Sequence, residues 1–408
     1  MPIDFNLPPD VEDVRQRVRT FMDAEVRPVE EKLREDEADR NAYVQAILGL
    51  RKKARGVGLW NPHLPPEWEG MGLGPVAMAF VSAEAGRTGI GPFVINAQAP
   101  DEGNMHTLLH WGTDEQKEKY LRPLSEGLCR SCFSMTEPEV AGSDPTLIQT
   151  RAVKDGDDWV LNGHKWFSSG AKGAKFAIVI ACTDPDADPP QARNSAFLVD
   201  LPAEGFHIVR DVETMAGQGN HPEIRITDVR VPADAMLGGR GDGHRLGQYR
   251  LGPARLAHCM RWIGNAEIAL EMLVKRATER FAHGSLLSEK QSIQWMMAES
   301  AMELYTGKLM VLHAAYRIQN EMPFRQEVSM AKVHVANTLW RIIDRAIQVH
   351  GALGYSTDTP LESMMRNARA ARLVDGADEV HMQTIAKNVI EMFQEDGHTR
   401  RATGDLLL

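Results

Sequence analysis

Four cysteines (Cys129, Cys132, Cys182 and Cys259) in 408 residues are too few for a disulfide framework. Basic residues are not in excess. The formal net charge of −10 argues against a nucleic-acid partner, which would want a basic surface. No apolar run approaches the roughly 20 residues that span a bilayer. The N-terminus is acidic and lacks the apolar core of a secretory signal, so a reducing cytoplasm is the simplest compartment. No G-x-G-x-x-G follows a strand-like run and no G-x-x-x-x-G-K-[ST] occurs, so neither a Rossmann nucleotide site nor a P-loop is supported. Cys129 and Cys132 form one C-x-x-C with no second pair or Cys/His cluster. They read as a redox pair, half a zinc site, or two small buried residues entering a strand.

What is present is ordinary for a globular chain: 43% hydrophobic and 25% charged residues, and a length that calls for two or three subdomains. Up to about residue 127 the pattern is helical. Val11, Val14, Val18, Phe21 and Met22 fall on one stripe, and Thr113 to Gln116 reads as a capping box opening a helix to about Leu121. Pro62 to Gly74 is Pro/Gly-rich loop. From about 132 to 235 the pattern is β. Phe176–Ala181 and Ser195–Asp200 are β-rich runs, Glu223–Thr227 alternates, and Asn162-Gly163 between apolar runs predicts a hairpin turn. Asp184 to Arg193, with three prolines, reads as exposed loop. After Gly238–Gly243 helices return, over roughly 253–282, 289–320 and 324–350. Capping boxes are expected at Ser288–Gln291 and Thr359–Glu362. Helices, then strands, then helices, without βαβ alternation, exclude a doubly wound sheet. The expected domains are 1–130 (helical), 131–240 (β) and 241–408 (helical bundle).

Within this frame, Cys132-Phe-Ser-Met-Thr-Glu-Pro138 followed by Ala141-Gly-Ser-Asp144 resembles the [FC]-x-M-T-E-P…S-D signature of the acyl-CoA dehydrogenases. The resemblance covers nearly the whole chain. It implies that family's fold: an N-terminal helical domain, a middle β-barrel domain and a C-terminal four-helix bundle. It implies FAD as cofactor, with Met135 and Thr136 on the isoalloxazine and Ser143 near a pyrophosphate. Donors at the flavin's pyrimidine edge stabilise the charge that reduction places there. Asn162-Gly-His-Lys-Trp166-Phe-Ser168 resembles N-G-x-K-x-[WF]-[IS]-[TS], which makes Trp166 a wall of the flavin pocket and Ser168 a donor toward N5; without the motif, Trp166 would be core packing. Arg280 with Gln291, and Gln348 with Gly351 and Gly354, resemble R-x-x-F-G…Q and Q-x-x-G-G-x-G. In that family those segments bind FAD pyrophosphate and adenine across a subunit interface, so the resemblance implies a homodimer or a homotetramer built as a dimer of dimers. Two departures stand out: His283 replaces a Phe and Ala352 replaces the second Gly.

Aligned from Gln348 without gaps, Asp375 falls where most of the family carries the catalytic Glu of Y-E-G-T. The α-hydrogen of a thioester is weakly acidic, so the reaction needs a positioned carboxylate, and an apolar pocket brings a carboxylate nearer working pH. The bland alternative is that Asp375 caps the last helix. The family's other base position falls on Ala254, which accepts no proton; Arg255 beside it is retained and is expected to hold a CoA phosphate or the pantetheine arm. The segments Gln98–Met105, Arg250–Arg261 and Asp375–His381 resemble the branch of family members 10 and 11. In some of those a phosphotransferase-like domain precedes the dehydrogenase; it is expected to be absent here, since Met1 opens directly on the dehydrogenase-like part. That branch is associated with long, branched or 4-hydroxy acyl-CoAs handled through a phosphorylated intermediate. Asn104, His258 and Arg261 are polar residues that could meet the acyl chain or be satisfied structurally. An electron-transfer flavoprotein is the implied acceptor. The alternatives are an oxygen-using oxidase on the same scaffold, a non-catalytic acyl-CoA binder, or a DNA-binding relative, the last poorly served by the charge.

Overall fold

The computed structural model describes residues 7–36 and 39–404, with nothing said of the Gln218 side chain. The chain divides into two compact units: residues 1–63, 71–95 and 255–408 in one, and 64–70 and 96–254 in the other. The helix Gly243–Glu279 carries the chain from the second into the first.

In the mainly helical unit, the first helix is Pro9–Phe21, and it buries Val18 and Phe21 of the expected stripe, with Met22 buried immediately after it. The core is built by the helices Pro75–Ala85, Gly243–Glu279, Gln291–Gln319, Arg325–His350 and Leu361–Ala371. The reason is periodicity. Leu256, Cys259, Met260, Ile263, Ala266, Ala269, Leu273 and Ala277 recur at three- and four-residue steps, and all are buried. Gln291–Gln319 and Arg325–His350 run antiparallel, with Arg345 2.8 Å from Glu299 and Arg341 2.9 Å from Glu303. The last long helix, Asp378–Asp396, packs on Arg325–His350.

The other unit holds one eight-stranded mixed sheet. The strands are β1 Ser131–Ser134, β2 Arg151–Asp155, β3 Asp158–Lys165, β4 Phe176–Cys182, β5 Asn194–Asp200, β6 Phe206–Thr214, β7 Gly217–Pro232 and β8 Met236–Leu237. The order is β6-β7-β3-β2-β4-β5-β8, with β1 parallel on β4. Among the described residues no pairing joins β6 to β8, so the segment expected as a barrel is an open sheet. Every residue of β4 is buried because both faces are covered. Ala177, Val179 and Ala181 pack with Trp159, Phe197 and Ile224, and Phe176, Ile178 and Ile180 pack with Met105, Leu108 and Leu121 of the helical segments.

Several local expectations are corrected. Asn162-Gly163 is not a turn: it lies inside β3, at a bulge in the pairing with β7, and the tight turn falls between Asp155 and Asp158. The Asn162 side chain instead exchanges two hydrogen bonds, each 2.9 Å, with Asp228. Gly163 is required by close approach, since a Cβ there would stand 2.2 Å from Thr150 Oγ1. The Thr113–Gln116 capping box forms. The other two do not. The helix expected from Ser288 begins at Gln291 without a side-chain cap, and the one expected from Thr359 begins at Leu361. There the Thr359 hydroxyl is spent on the Leu353 carbonyl and the Glu362 carboxylate on Arg366. The helix expected from about 253 starts ten residues earlier, at Gly243, and runs through Pro253.

A Gly163→Ala substitution is expected to lower stability by about 1–3 kcal/mol through overpacking against Thr150, read as a fall in thermal midpoint with the native circular dichroism retained.

Candidate active site

The residues expected at the cofactor and the base lie in two sets. Met135, Thr136, Ser143, Trp166 and Ser168 belong to the sheet-containing unit; Arg255, Arg280, Gln291, Gln348, Gly351, Gly354 and Asp375 belong to the helical one. A cavity of about 700 Å³ beside Tyr120, Pro202 and Arg230 contains none of them.

In the sheet-containing unit, the chain leaves β1 into Met135–Pro138, and that stretch is tied to the end of β3. The Trp166 N–H donates to the Thr136 carbonyl at 3.1 Å. Lys165, fully buried, donates to the Met135 carbonyl at 2.8 Å and to Glu137 at 2.9 Å. Glu137 in turn accepts from the Gln149 and Thr150 amides at 2.7 and 2.8 Å. Burial pulls the Lys165 pKa down to about 8, and the Glu137 carboxylate works against that pull. Sequence reading missed this pair as a scaffold; its signal was the Lys of N-G-x-K and the Glu of M-T-E-P. Ser168 is buried, with its hydroxyl 2.5 Å from that of Ser134. Thr136 and Ser143 are exposed.

In the helical unit, Arg280 ends the helix Gly243–Glu279. A two-residue turn, His283 and Gly284, both with positive φ, leads back through Ser285–Leu286, and the Leu287 amide bonds the Arg280 carbonyl at 2.9 Å. His is among the residues that tolerate the left-handed region, which accounts for its place at this turn. Gln291 then opens the next helix. The antiparallel register that sets Arg345 against Glu299 puts Gln348 at the same helix end as Gln291. Arg280, Gln291, Gln348 and Gly351 are all exposed. Gly354 is buried, and a Cβ there would stand 2.8 Å from the Ile347 carbonyl oxygen.

Asp375 stands in the turn between the helices Leu361–Ala371 and Asp378–Asp396, with φ +54. It is not a helix cap. The capping position is Ala377, with no side-chain cap bond. Left-handed backbone costs a non-glycine residue energy, so the surroundings must hold it. Arg255 Nε donates to the Asp375 carbonyl at 2.7 Å, so this guanidinium, expected at the substrate, has one donor committed to the turn. Asp378 closes the other side: it accepts from Arg372 at 2.8 Å and Asn337 at 2.9 Å and pairs with fully buried Lys332 at 3.4 Å. Burial would raise the Asp378 pKa, but Arg372, Asn337 and Lys332 outweigh it and hold it below the ordinary value. His381 lies under the turn. Its Nε2 would be 2.8 Å from a Cβ on Gly376, which has φ +108, so only glycine fits there. The Asp375 carboxylate is 3.3 Å from His258 Nε2, and the His258 side chain is 21% exposed. Asn104, by contrast, is satisfied inside the other unit, between Ser131 and Arg250.

A flavin fits the residues of the first set. The Trp166 indole N–H is buried without a protein acceptor, and the neighbouring Thr136 is exposed, so both suit hydrogen bonds to a planar polar ligand. The models of the acyl-CoA dehydrogenase N-terminal, middle and C-terminal domains match residues 8–128, 132–229 and 241–390.

The chain belongs to the acyl-CoA dehydrogenase family.

It is 40% identical over 403 residues to a Mycobacterium tuberculosis protein named "Probable acyl-CoA dehydrogenase FadE2", covering 94% of this chain and 96% of that one. It is 38% identical over 390 residues to acyl-CoA dehydrogenase family member 11 of Gallus gallus, covering 92% of this chain but 50% of that protein. The chain therefore spans about half the length of the family member 11 relatives it matches, and it falls in the branch of members 10 and 11. The structure of butyryl-CoA dehydrogenase from Megasphaera elsdenii superposes with a TM-score of 0.83 at 26% identity, covering 95% of this chain and 100% of that one. Members of the family bind FAD. Among the described residues no cluster could hold a metal ion, and no helix is long and apolar enough to cross a membrane.

Burial, with Arg255 and Lys332 nearby, lowers the His381 pKa to about 4. The unfolded chain binds a proton at this residue below about pH 6.5, whereas the native state binds it only near pH 4. Stability is therefore lost as pH falls through that window, by about 1.4 kcal/mol per unit for this group. Urea midpoints at pH 7 and pH 5 should differ less in His381→Gln than in the parent.

Proposed function

We propose that this chain removes the α- and β-hydrogens of an acyl-CoA thioester, with Asp375 as the base. The observation that carries the reading is a carboxylate at the family's base position, held in a left-handed turn by Arg255 and by the buried Lys332–Asp378 pair. That arrangement fixes the direction of a carboxylate that does not cap the helix after it. The Cα–H bond breaks with its proton going to Asp375. The electron pair forms the Cα=Cβ bond as the β-hydrogen departs as hydride, leaving the enoyl thioester. FAD, when bound, supplies the hydride acceptor. Met135, Thr136, Trp166 and Ser168 would hold its ring, Ser143 a pyrophosphate, and Arg280, Gln291, Gln348, Gly351 and Gly354 the adenine and pyrophosphate of a neighbouring copy. Arg255 orients the base through the Asp375 carbonyl and keeps its other guanidinium nitrogens for the CoA portion.

A second copy is supported by the surface. Trp295, Met302, Leu309 and Tyr316 recur every seven residues on one helix, and each remains at least 37% exposed, as does Tyr305 beside them. A heptad stripe of this kind seeks a partner helix. Homodimer or homotetramer is the proposed state, cytoplasmic the proposed compartment, and an electron-transfer flavoprotein the proposed acceptor. The domain division 1–130, 131–240 and 241–408 is retained as the working one.

In Asp375→Asn, the yellow colour and acyl-CoA binding should persist while anaerobic flavin reduction slows by about 10² or more. Reduction at the parental rate removes Asp375 from the mechanism. A panel of acyl-CoAs, including branched, 4-hydroxy and 4-phospho forms, assayed by flavin bleaching identifies the substrate, and fast reoxidation in air would mark an oxidase. Tyr305→Asp should shift the molecular mass by light scattering toward the monomer and lower FAD content together.

A further inference from the structure

The helix Gly243–Glu279 presents Arg255, His258 and Arg261 at three-residue steps. That spacing places all three toward one side of the helix. Arg255 takes the Asp375 carbonyl at 2.7 Å and His258 Nε2 stands 3.3 Å from the Asp375 carboxylate. The other ring nitrogen, Nδ1, faces Arg261 Nη2 at 3.3 Å. A guanidinium only donates, so Nδ1 must be the unprotonated, accepting nitrogen. That leaves the ring proton on Nε2, the nitrogen that stands 3.3 Å from the carboxylate. The ring plane is held as well, stacked on Trp262 at 5.4 Å between centroids and 22° between planes. A cationic and an aromatic neighbour on the same helix, Arg261 and Trp262, thus define the tautomer and the ring plane of an imidazole whose Nε2 lies 3.3 Å from the proposed base.

We propose that His258 is a positioning residue for Asp375: a neutral imidazole, locked as the Nε2–H tautomer by Arg261, that donates to the carboxylate and holds it in one rotamer as it takes the substrate proton. This rests on the reading of Asp375 as the base. The imidazole does not itself receive the proton, because its only free lone pair is turned toward a guanidinium. Arg255, Lys332, Arg372 and Arg325 are cations on the elements around the turn, and Asp378, Glu379, His381 and Cys259 are titratable groups there. Gln at 258 would place an amide N–H near the Nε2 position and Asn near Nδ1, so the two amides separate a donor to the base from mere bulk.

The test uses the FAD-loaded protein and two measurements: single-turnover flavin reduction across pH, and wash-in of solvent deuterium at the acyl-CoA α-carbon without an electron acceptor. His258→Leu and His258→Asn should slow α-exchange by roughly 10- to 100-fold with KM nearly unchanged. The acid limb of the pH profile should move up by about one unit, because a carboxylate that loses a donor holds its proton more tightly. His258→Gln should stay within about fivefold of the parent and keep its pH limb. If Leu does not load FAD, the Gln–Asn pair carries the comparison. Parental exchange rates and an unmoved limb in Leu or Asn overturn the role of His258 while leaving Asp375 in place. If Asp375→Asn exchanges and reduces at the parental rate, the base assignment itself fails and this role with it.

Discussion

A strained turn has to be held from several directions at once. Asp375 and Gly376 both sit at positive φ, and for the aspartate that conformation is paid for by its neighbours. Arg255 binds the carbonyl from one helix. Lys332 and Asn337 hold Asp378 from a second, and Arg372 adds a bond from the turn itself. Breaking a buried ion pair typically costs about 3–5 kcal/mol, more than a left-handed aspartate costs, so the frame can impose the turn. The proposed base is therefore directed by fixed charges and not by its own side-chain preference.

The same device recurs in the other unit. Lys165 and Glu137, both buried, join the stretch after β1 to the end of β3, which keeps Met135, Thr136 and Trp166 together. There too a buried pair fixes the main chain next to residues that are themselves exposed or half-exposed. Both buried pairs serve geometry more than stability, since replacement by apolar side chains of equal volume is often neutral for folding.

The fold class was legible because periodicity is a strong signal. The Cys259-to-Ala277 stripe and the alternation of Ile224 and Ile226 with exposed Arg225 could hardly be read otherwise. Local punctuation was less faithful. Asn162-Gly163 has the composition of a hairpin turn, yet Thr150 and Asp228, distant in sequence, make it a bulge. Ser288 and Thr359 carry the letters of capping boxes, but other local partners, the Leu353 carbonyl and Arg366 one helical turn on, hold the side chains at Thr359 and Glu362. Pro253 reads as a helix start, and the helix passes through it.

The site divides in the same way. Sequence alone determined which residue types stand at which motif positions: an aspartate at 375, a tryptophan at 166, an arginine at 280. These are covalent facts, and the family's motifs are read directly from them. Only the tertiary structure decided that Arg255 serves the Asp375 carbonyl, that Lys165 ties Met135 to β3, and that His258, flanked by Arg261 and Trp262, stands with its Nε2 3.3 Å from the carboxylate. Each is a contact between groups far apart in the chain or a tautomer set by a neighbour. Their energies depend on distance and burial, which a linear pattern does not contain.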